Sequence, residues 1–314
     1  MQQQIKINFQ QERDFGTIIS DTLLFLKQNF KPFFSSIVLI VGPLILIMGL
    51  AYAFLQTTLM ASVSRATSEG NPFGVFTSDY FTSAGLMVFC GFLANILLSS
   101  VTYNYMCLYK EKSIDEVITV SEVAKKVVSN IGHLLISSLA FLGLLALIVT
   151  VLVLIGIGVF SGTGVGIAVL FGFILFFVAL IFIPIFMYVV SAGFYVVIRD
   201  RLFIFSALGK VRKYLSGNFW WTWLIIVVSL ISLSILQMIF NMPATIVSMG
   251  KMFTRATNPE TGDDSAILLM AFYTLGMFLT YCTYSITHVI AAFNFESHEE
   301  KKEAKGMMSQ IDSI

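Results

Sequence analysis

Charged residues are scarce in this sequence. They make up 12% of the 314 residues, whereas soluble domains carry about 25%. Apolar residues account for 57%, and the mean hydropathy is +0.87. This composition excludes a soluble globular domain, a disordered chain and a secreted disulfide scaffold. It predicts an all-α integral membrane protein that crosses the bilayer several times.

Groups that carry chemistry are also few. The sequence has three cysteines and three histidines, and it contains no HExxH, GxSxG or Walker A motif. Cys90, Cys107 and Cys282 lie far apart in apolar stretches, which favours small apolar fillers over a metal or redox site. The net charge of +1 provides no field for nucleic acid. We therefore expect no cofactor, no metal and no nucleic-acid partner.

Long stretches without Asp, Glu, Lys or Arg mark the candidate spans. There are five such stretches, and the longest, 127–198, is interrupted by the turn signal at 161–164. Because a spanning helix needs about 20 apolar residues, the sequence predicts six spans, at about 34–62, 83–109, 132–159, 165–197, 219–247 and 266–293. Since these spans contain no Asp, Glu, Lys or Arg, proton-coupled transport and intramembrane proteolysis are disfavoured.

The distribution of positive charge predicts the orientation. Sixteen of the 19 lysines and arginines fall on one side of the six spans, and the other three are Arg65, Lys251 and Arg255. The positive-inside rule places both termini in the cytoplasm. Aromatic side chains at the cytoplasmic span ends are expected to be membrane-interface anchors, namely Trp220, Trp221, Trp223, Tyr103, Tyr105 and Tyr109.

The chain also shows a three-fold internal pattern. Segments at about 12–30, 113–131 and 202–216 have apolar residues at helical spacing and each precedes a span. We interpret each as an elbow helix in the membrane surface, followed by a helical hairpin, with its turn at Asn29, Asn130 or Asn218. The single membrane domain, 1–314, would then hold units at about 12–109, 113–197 and 202–293, followed by a charged cytoplasmic tail at 294–314.

Some polar residues inside the spans have two interpretations. Gln237 and Asn241 are four residues apart and share one helix face, so they could line a polar cavity or bond to a neighbouring helix for about 0.6 kcal/mol. His133 and His288 lie near the cytoplasmic interface, where a lone histidine is more often a satisfied polar residue than a catalytic one. Gly42 and Pro43 are expected to bend the first span.

The pattern of elbow and hairpin resembles the membrane domain of some glycerophosphodiester phosphodiesterases and related YciC-type bacterial membrane proteins. The resemblance rests on Phe15-Gly16-x-Ile18-Ile19 leading to Asn29-Phe30, and on Ala207-Leu208 through Lys213 to Gly217-Asn218-Phe219-Trp220. It implies a multi-pass protein of the bacterial inner membrane. The catalytic domain with its paired carboxylates and histidines is absent, so no catalytic residue carries over.

Three functions follow from these observations. The first is a non-catalytic protein that acts as a scaffold or regulatory subunit of a membrane complex, with membrane lipids and other subunits as partners. The alternative is a carrier or conduit for a lipid or another apolar substrate, which would need no charged spans. The third, an intramembrane enzyme, is disfavoured because the spans lack acid–base groups. The sequence does not specify the oligomeric state.

Overall fold

The fold is described from a computed structural model that covers residues 6–69, 77–113, 116–162, 165–257 and 266–304. Eight helices occupy these residues, and the described part of the chain contains no strand. Their bounds are α1 Phe15–Ile40, α2 Gly42–Glu69, α3 Ser78–Glu111, α4 Val120–Gly162, α5 Val165–Asp200, α6 Ile204–Leu215, α7 Phe219–Thr257 and α8 Ala266–Glu303. The all-α prediction is confirmed. The predicted turn at 161–164 lies partly outside the described residues.

Seven of these helices are long and apolar enough to cross a membrane, which makes the chain a multi-pass membrane protein. Only α6, with 12 residues, is too short. The sequence predicts six spans, and the additional candidate is α1. The apolar faces of α4 and α5 are largely exposed, including Phe173, Phe176 and Phe177. Soluble proteins rarely expose so large an apolar surface, whereas a bilayer solvates it.

The first predicted span is divided between two helices. The α1 helix ends at Ile40, and α2 begins at Gly42, next to Pro43. Proline has no N–H to donate, and its ring clashes with the preceding turn. The regular pattern of helical hydrogen bonds is therefore interrupted here, and the Leu44 N–H donates to the Val41 carbonyl at 3.0 Å. The expected bend is therefore an interruption at Val41, whose N–H still donates to the Ile37 carbonyl at 2.9 Å, and α1 combines the first elbow segment with the start of the span.

Two of the three expected elbow turns are absent. The α1 helix runs without interruption through Asn29, and α4 runs through Asn130. Each asparagine instead bonds to a helical partner: the Asn29 amide donates to the Phe25 carbonyl at 2.9 Å, and the Asn130 amide donates to Asn104 Oδ1 at 2.8 Å. These bonds satisfy the side chains inside a helix, so neither acts at a turn.

The third elbow is a separate helix. Asn218 lies between α6 and α7, after Gly217, whose φ of 91° is the left-handed conformation that glycine adopts without strain. The predicted apolar face of α6 is buried at Ile204, Ala207, Val211 and Leu215. This face packs on protein, since Leu208 lies close to Gly193 of α5. It does not lie in the acyl layer, as the sequence interpretation expected.

Contacts between residues divide the chain into two compact units. Unit 1 comprises Met1–Phe33, Ser99–Ser229 and Thr287–Ile314, and unit 2 comprises Phe34–Leu98 and Leu230–Ile286. Unit 1 contains α6 and the ends of several long helices. Unit 2 has an apolar core that includes Ala53, Ala244, Leu269 and Tyr273. The division does not follow consecutive segments, and the three-unit repeat stays a prediction.

Candidate functional site

The charged end of α8 is buried in unit 1. The sequence interpretation of the tail from residue 294 is a solvated helix extension or a partly disordered end, and α8 continues to Glu303. Glu296 and Glu299 are each only 4% exposed. Burying carboxylates is costly unless cations compensate them. The expected solvation is therefore wrong for residues 294–300, whereas Lys301 and Lys302 are exposed, and residues 305–314 lie outside the described part of the chain.

Glu296 is compensated by cations from two other helices. Its Oε1 accepts from Lys110 Nζ of α3 at 2.8 Å and from Arg199 Nη1 of α5 at 2.9 Å. The Tyr195 hydroxyl also donates to Oε1. One carboxylate thus joins the ends of α3, α5 and α8.

Glu299 and Asp200 extend the same network to α6. Arg199 makes a bidentate contact with Glu299, with N–O distances of 2.6 and 3.1 Å. Lys210 Nζ of α6 lies 2.6 Å from Asp200 Oδ2 and 3.0 Å from Glu299 Oε1. We call these six side chains the ionic cluster: Lys110, Arg199, Asp200, Lys210, Glu296 and Glu299.

The ionic cluster is electrically balanced, with three cations and three carboxylates. The Arg199 guanidinium is further enclosed by the rings of Tyr195 and Phe295, at 5.4 and 5.2 Å from their centroids. A cavity of about 230 Å³ adjoins the cluster and is also lined by Gln10 and Glu300. Because the charged groups bind one another, the arrangement holds four helix ends together and leaves none of the six as an uncommitted acid or base.

An amino-terminal segment, residues 6–14, packs beside the cluster. Lys6 Nζ donates to the Lys110 carbonyl at 3.0 Å, and the Arg13 N–H donates to Ser297 Oγ at 2.8 Å. The Arg13 guanidinium binds Asp21 at 2.8 Å. Burial lowers the pKa of Arg13, and the Asp21 carboxylate opposes this shift. No pattern in the sequence indicates that this segment is anchored.

A second polar cluster in unit 1 surrounds His288. The Ser191 hydroxyl lies 2.8 Å from His288 Nδ1, and the Tyr103 hydroxyl lies 2.5 Å from Ser191 Oγ. Ser99 Oγ is 3.3 Å from His288 Nε2. These bonds connect α3, α5 and α8. His288 is therefore a hydrogen-bonded polar residue, which is the interpretation that the sequence favoured. Cys282 does not belong to this cluster.

The three tyrosines expected at the membrane interface lie inside the protein. Tyr103 and Tyr105 are fully buried, and Tyr109 is 7% exposed. Tyr105 donates to Asn29 Oδ1 at 3.1 Å, and Tyr109 donates to Gln28 Oε1 at 2.9 Å. Their hydroxyls therefore find protein partners, which corrects the anchor interpretation for these residues.

The tryptophans at the start of α7 differ from the tyrosines. Trp220 is 66% exposed and Trp221 is 39% exposed, as an interface anchor requires. Trp223 is half-buried, and its indole N–H has no partner among the described residues. The interface role of all three stays a prediction.

Gln237 and Asn241 lie on α7 and are not among the residues that line the cavity beside the ionic cluster. The Asn241 amide donates to the Gln237 carbonyl at 2.8 Å. Its Oδ1 would lie 2.8 Å from a Cβ added at Gly276, so α7 and α8 approach closely here. The bond between Asn241 and Gln237 lies within α7, so both interpretations of the pair, the polar cavity and the bond to a neighbouring helix, stay predictions.

The ionic cluster could not be read from spacing alone. Its members lie at positions 110, 199, 200, 210, 296 and 299; in the sequence the three cations are consistent with the positive-inside pattern, and Glu296 and Glu299 lie in the predicted tail. One local signal exists: Glu296 and Glu299 share a helix face, and no glycine or proline follows span six until Gly306. That pattern is typical of a helix that continues past the membrane.

The fold and the cluster together define a class, that of an all-helical multi-pass membrane protein with a compact charged end in unit 1. The chain matches no protein-family model, no curated protein and no solved structure. Its function is therefore argued from its own residues.

Proposed function

We propose that this protein is a non-catalytic scaffold or regulatory subunit of a complex in the bacterial inner membrane, with both termini in the cytoplasm. The observation that carries the proposal is the balanced ionic cluster. Buried charge pairs add little net stability, but they fix one arrangement of the groups that they join. A fixed arrangement of helix ends is what a partner subunit needs as a docking platform.

The second support is the use of the polar groups inside the helices. Ser191, His288 and Tyr103 bond to one another, and the charges of the ionic cluster are paired. An enzyme would instead present an acid, base or nucleophile to a site that substrate can enter.

Native mass spectrometry of the protein extracted from its own membranes in mild detergent tests this proposal. We expect a stoichiometric protein partner to remain bound. Lys213→Ala serves as a control, because Lys213 is 66% exposed at its side chain and its pair with Glu303 is weak, at 3.5 Å. In contrast, Lys210→Ala, inside the ionic cluster, should reduce partner recovery. A monomer or homo-oligomer that carries only lipid would contradict the proposal.

A second candidate function, binding or carrying a lipid, is favoured by an apolar groove in unit 2. The groove has a volume of about 530 Å³ and follows the break between α1 and α2. Its walls include Gly42, Pro43 and Leu46 on one side and Leu275 and Phe278 of α8 on the other. This size and lining suit an apolar ligand, and an acyl chain is the apolar ligand that a bilayer supplies.

Filling the groove tests the lipid candidate. Leu275→Trp should reduce cross-linking to a phospholipid with a photoreactive acyl chain, because the larger ring occupies the groove. Leu39→Trp is the matched control, since Leu39 is 65% exposed and does not line the groove. Equal cross-linking of both variants and the wild type would remove this candidate.

A further inference from the structure

A second polar cavity in unit 1 lies between α4 and the end of α5. Its volume is about 250 Å³, and its lining is Ser129, Asn130, His133, Val197, Ile198 and Arg201. No carboxylate is among these six residues. The site differs from the ionic cluster, in which each cation faces an acid.

Arg201 is the cation of this cavity, and it is uncommitted. Its guanidinium makes no hydrogen bond or ion pair with any residue that the structure describes, and the residue is exposed. Its neighbours Arg199 and Asp200, by contrast, are both held in the ionic cluster. The fork of an arginine side chain matches the oxygens of a phosphate group better than any other cation in proteins.

The backbone of Arg201 has an unusual conformation. Its φ is 55°, in the left-handed region where a side chain costs about 1–2 kcal/mol and glycine is preferred. The position follows the last residue of α5, where a glycine would end the helix without strain. An arginine at a position suited to glycine indicates that its side chain has a use there.

The opposite wall carries a histidine ring. His133 Nε2 lies 2.9 Å from the Leu202 carbonyl, which fixes the ring against the turn and leaves Nδ1 as the uncommitted ring nitrogen. Because the carbonyl can only accept, Nε2 carries a proton, and Nδ1 donates to an anion only in the doubly protonated, cationic ring. Lys125 is exposed one turn before Ser129 and shares the helix face of Ser129 and His133.

The level of the cavity relative to the spans identifies the ligand class. The predicted spans three and four begin at about 132 and end at about 197, so the lining residues lie at the predicted cytoplasmic boundary of the apolar core. Phospholipid phosphates lie at this level, and basic pockets between transmembrane helices bind anionic headgroups.

We propose that this cavity binds a phosphate group, with Arg201 as its main ligand, the cationic form of His133 as a supporting donor and Lys125 as a nearby positive charge. The phosphate belongs either to an anionic phospholipid headgroup or to free phosphate, and both present the same oxygens. The site is separate from the ionic cluster, so it does not depend on the scaffold proposal.

The test measures retained lipid in variants of Arg201. The protein is reconstituted in nanodiscs of phosphatidylglycerol or phosphatidylcholine, and the bound lipid is counted by native mass spectrometry. We expect wild-type protein to retain phosphatidylglycerol preferentially. Arg201→Gly should weaken this retention about tenfold, because a hydrogen bond to a charged group is worth about that factor or more. The same variant should unfold at a temperature no lower than wild type, since glycine relieves the strained φ.

Two further variants keep the test decisive. Arg201→Gln removes the charge while retaining a side chain at the strained position, and it should also lose retention. Lys27→Ala is the control, because Lys27 is exposed outside the cavity and carries the same charge. Excess inorganic phosphate separates the two sources: displacement of lipid supports a site for free phosphate, and unchanged lipid supports a headgroup site. Retention by Arg201→Gly equal to wild type or to Lys27→Ala would overturn the proposal.

Discussion

The contribution of the ionic cluster can be measured at Glu296. Removing one partner from a buried ion pair costs about 3–5 kcal/mol, because the remaining charge is left uncompensated. In this cluster Lys110 retains 27% side-chain exposure and Arg199 retains 15%, so water screens part of the loss. We therefore expect Glu296→Gln to lower the free energy of unfolding by about 3 kcal/mol, at the lower end of that range.

The matched control is Glu12→Gln. Glu12 pairs with Lys301, also on α8, at 3.3 Å, but the two side chains are 61% and 52% exposed. An exposed pair of this kind contributes at most about 1 kcal/mol. The assay is denaturant unfolding in detergent micelles, followed by circular dichroism. If Glu296→Gln and Glu12→Gln lower the free energy of unfolding equally, the cluster does not hold the helix ends as we have argued.

Two smaller perturbations test helix packing and capping. Gly276→Ala should destabilise the fold by about 1–3 kcal/mol, because the new Cβ would lie 2.8 Å from Asn241 Oδ1 and 3.1 Å from the Phe240 carbonyl. Gly85→Ala meets no atom within 4 Å and should be neutral or stabilising in the same denaturant-unfolding assay. The pKa of the Asp14 carboxyl is lowered by its hydrogen bonds with the side chain and the N–H of Thr17. The ionised Asp14 carboxylate should stabilise α1 fully at pH values above the ordinary pKa of an aspartate. This stabilisation should disappear as the pH falls through the lower pKa that Asp14 has in the folded protein. An NMR titration of Asp14 with a midpoint at or above the value of a free aspartate would contradict this.

The helices of this protein were largely predictable because a bilayer imposes a simple rule. Backbone groups in hydrocarbon must bond within the helix, so charge-free stretches of about 20 residues identify spans. The α7 helix begins at Phe219, as predicted. The break at Gly42 was visible because proline removes a backbone donor.

The elbow turns at Asn29 and Asn130 were less predictable. An asparagine before an apolar run can cap a helix or can bond back to the preceding turn inside one, and the sequence pattern is the same in both cases. The start of α4 shows a similar ambiguity, because Ser113 with Glu116 and Thr119 with Glu122 both fit a capping box. Only Thr119 precedes the helix directly, and its N–H donates to Glu122 Oε2 at 2.9 Å. Both segments satisfy the capping pattern, and only the tertiary environment distinguishes them.

The candidate sites could not be predicted because their residues come from distant parts of the chain. Lys110, Arg199 and Glu296 are each consistent with a charge at a membrane boundary, and nothing local indicates that they meet. Arg201 looks the same as Arg199 in the sequence, yet one is paired and the other is not. Pairing is a property of the packed helices, so sequence patterns detect the elements and miss the contacts between them.

The number of membrane crossings distinguishes the six-span prediction from a count of seven. The α1 helix is the least apolar of the seven candidate spans, and it carries Asp21, Lys27 and Lys31. Within unit 1, the Arg13 N–H contacts Ser297 Oγ at 2.8 Å, and residues in direct contact must lie on the same side of the membrane. An even number of crossings must therefore separate residues 13 and 297, which is satisfied if α1 and α2 together cross once.

Because residues 13 and 297 are in contact, both ends of the described chain should be accessible from the same side of the membrane. In a variant with Cys90, Cys107 and Cys282 replaced by alanine, single cysteines at positions 8 and 301 should react with a membrane-impermeant maleimide from the same side of sealed vesicles. Both positions are outside the predicted spans, so neither label should disturb a crossing. Reaction from opposite sides would mean that α1 crosses the membrane independently. It would also refute the packing of the amino-terminal segment on the end of α8, because that contact cannot form across a bilayer.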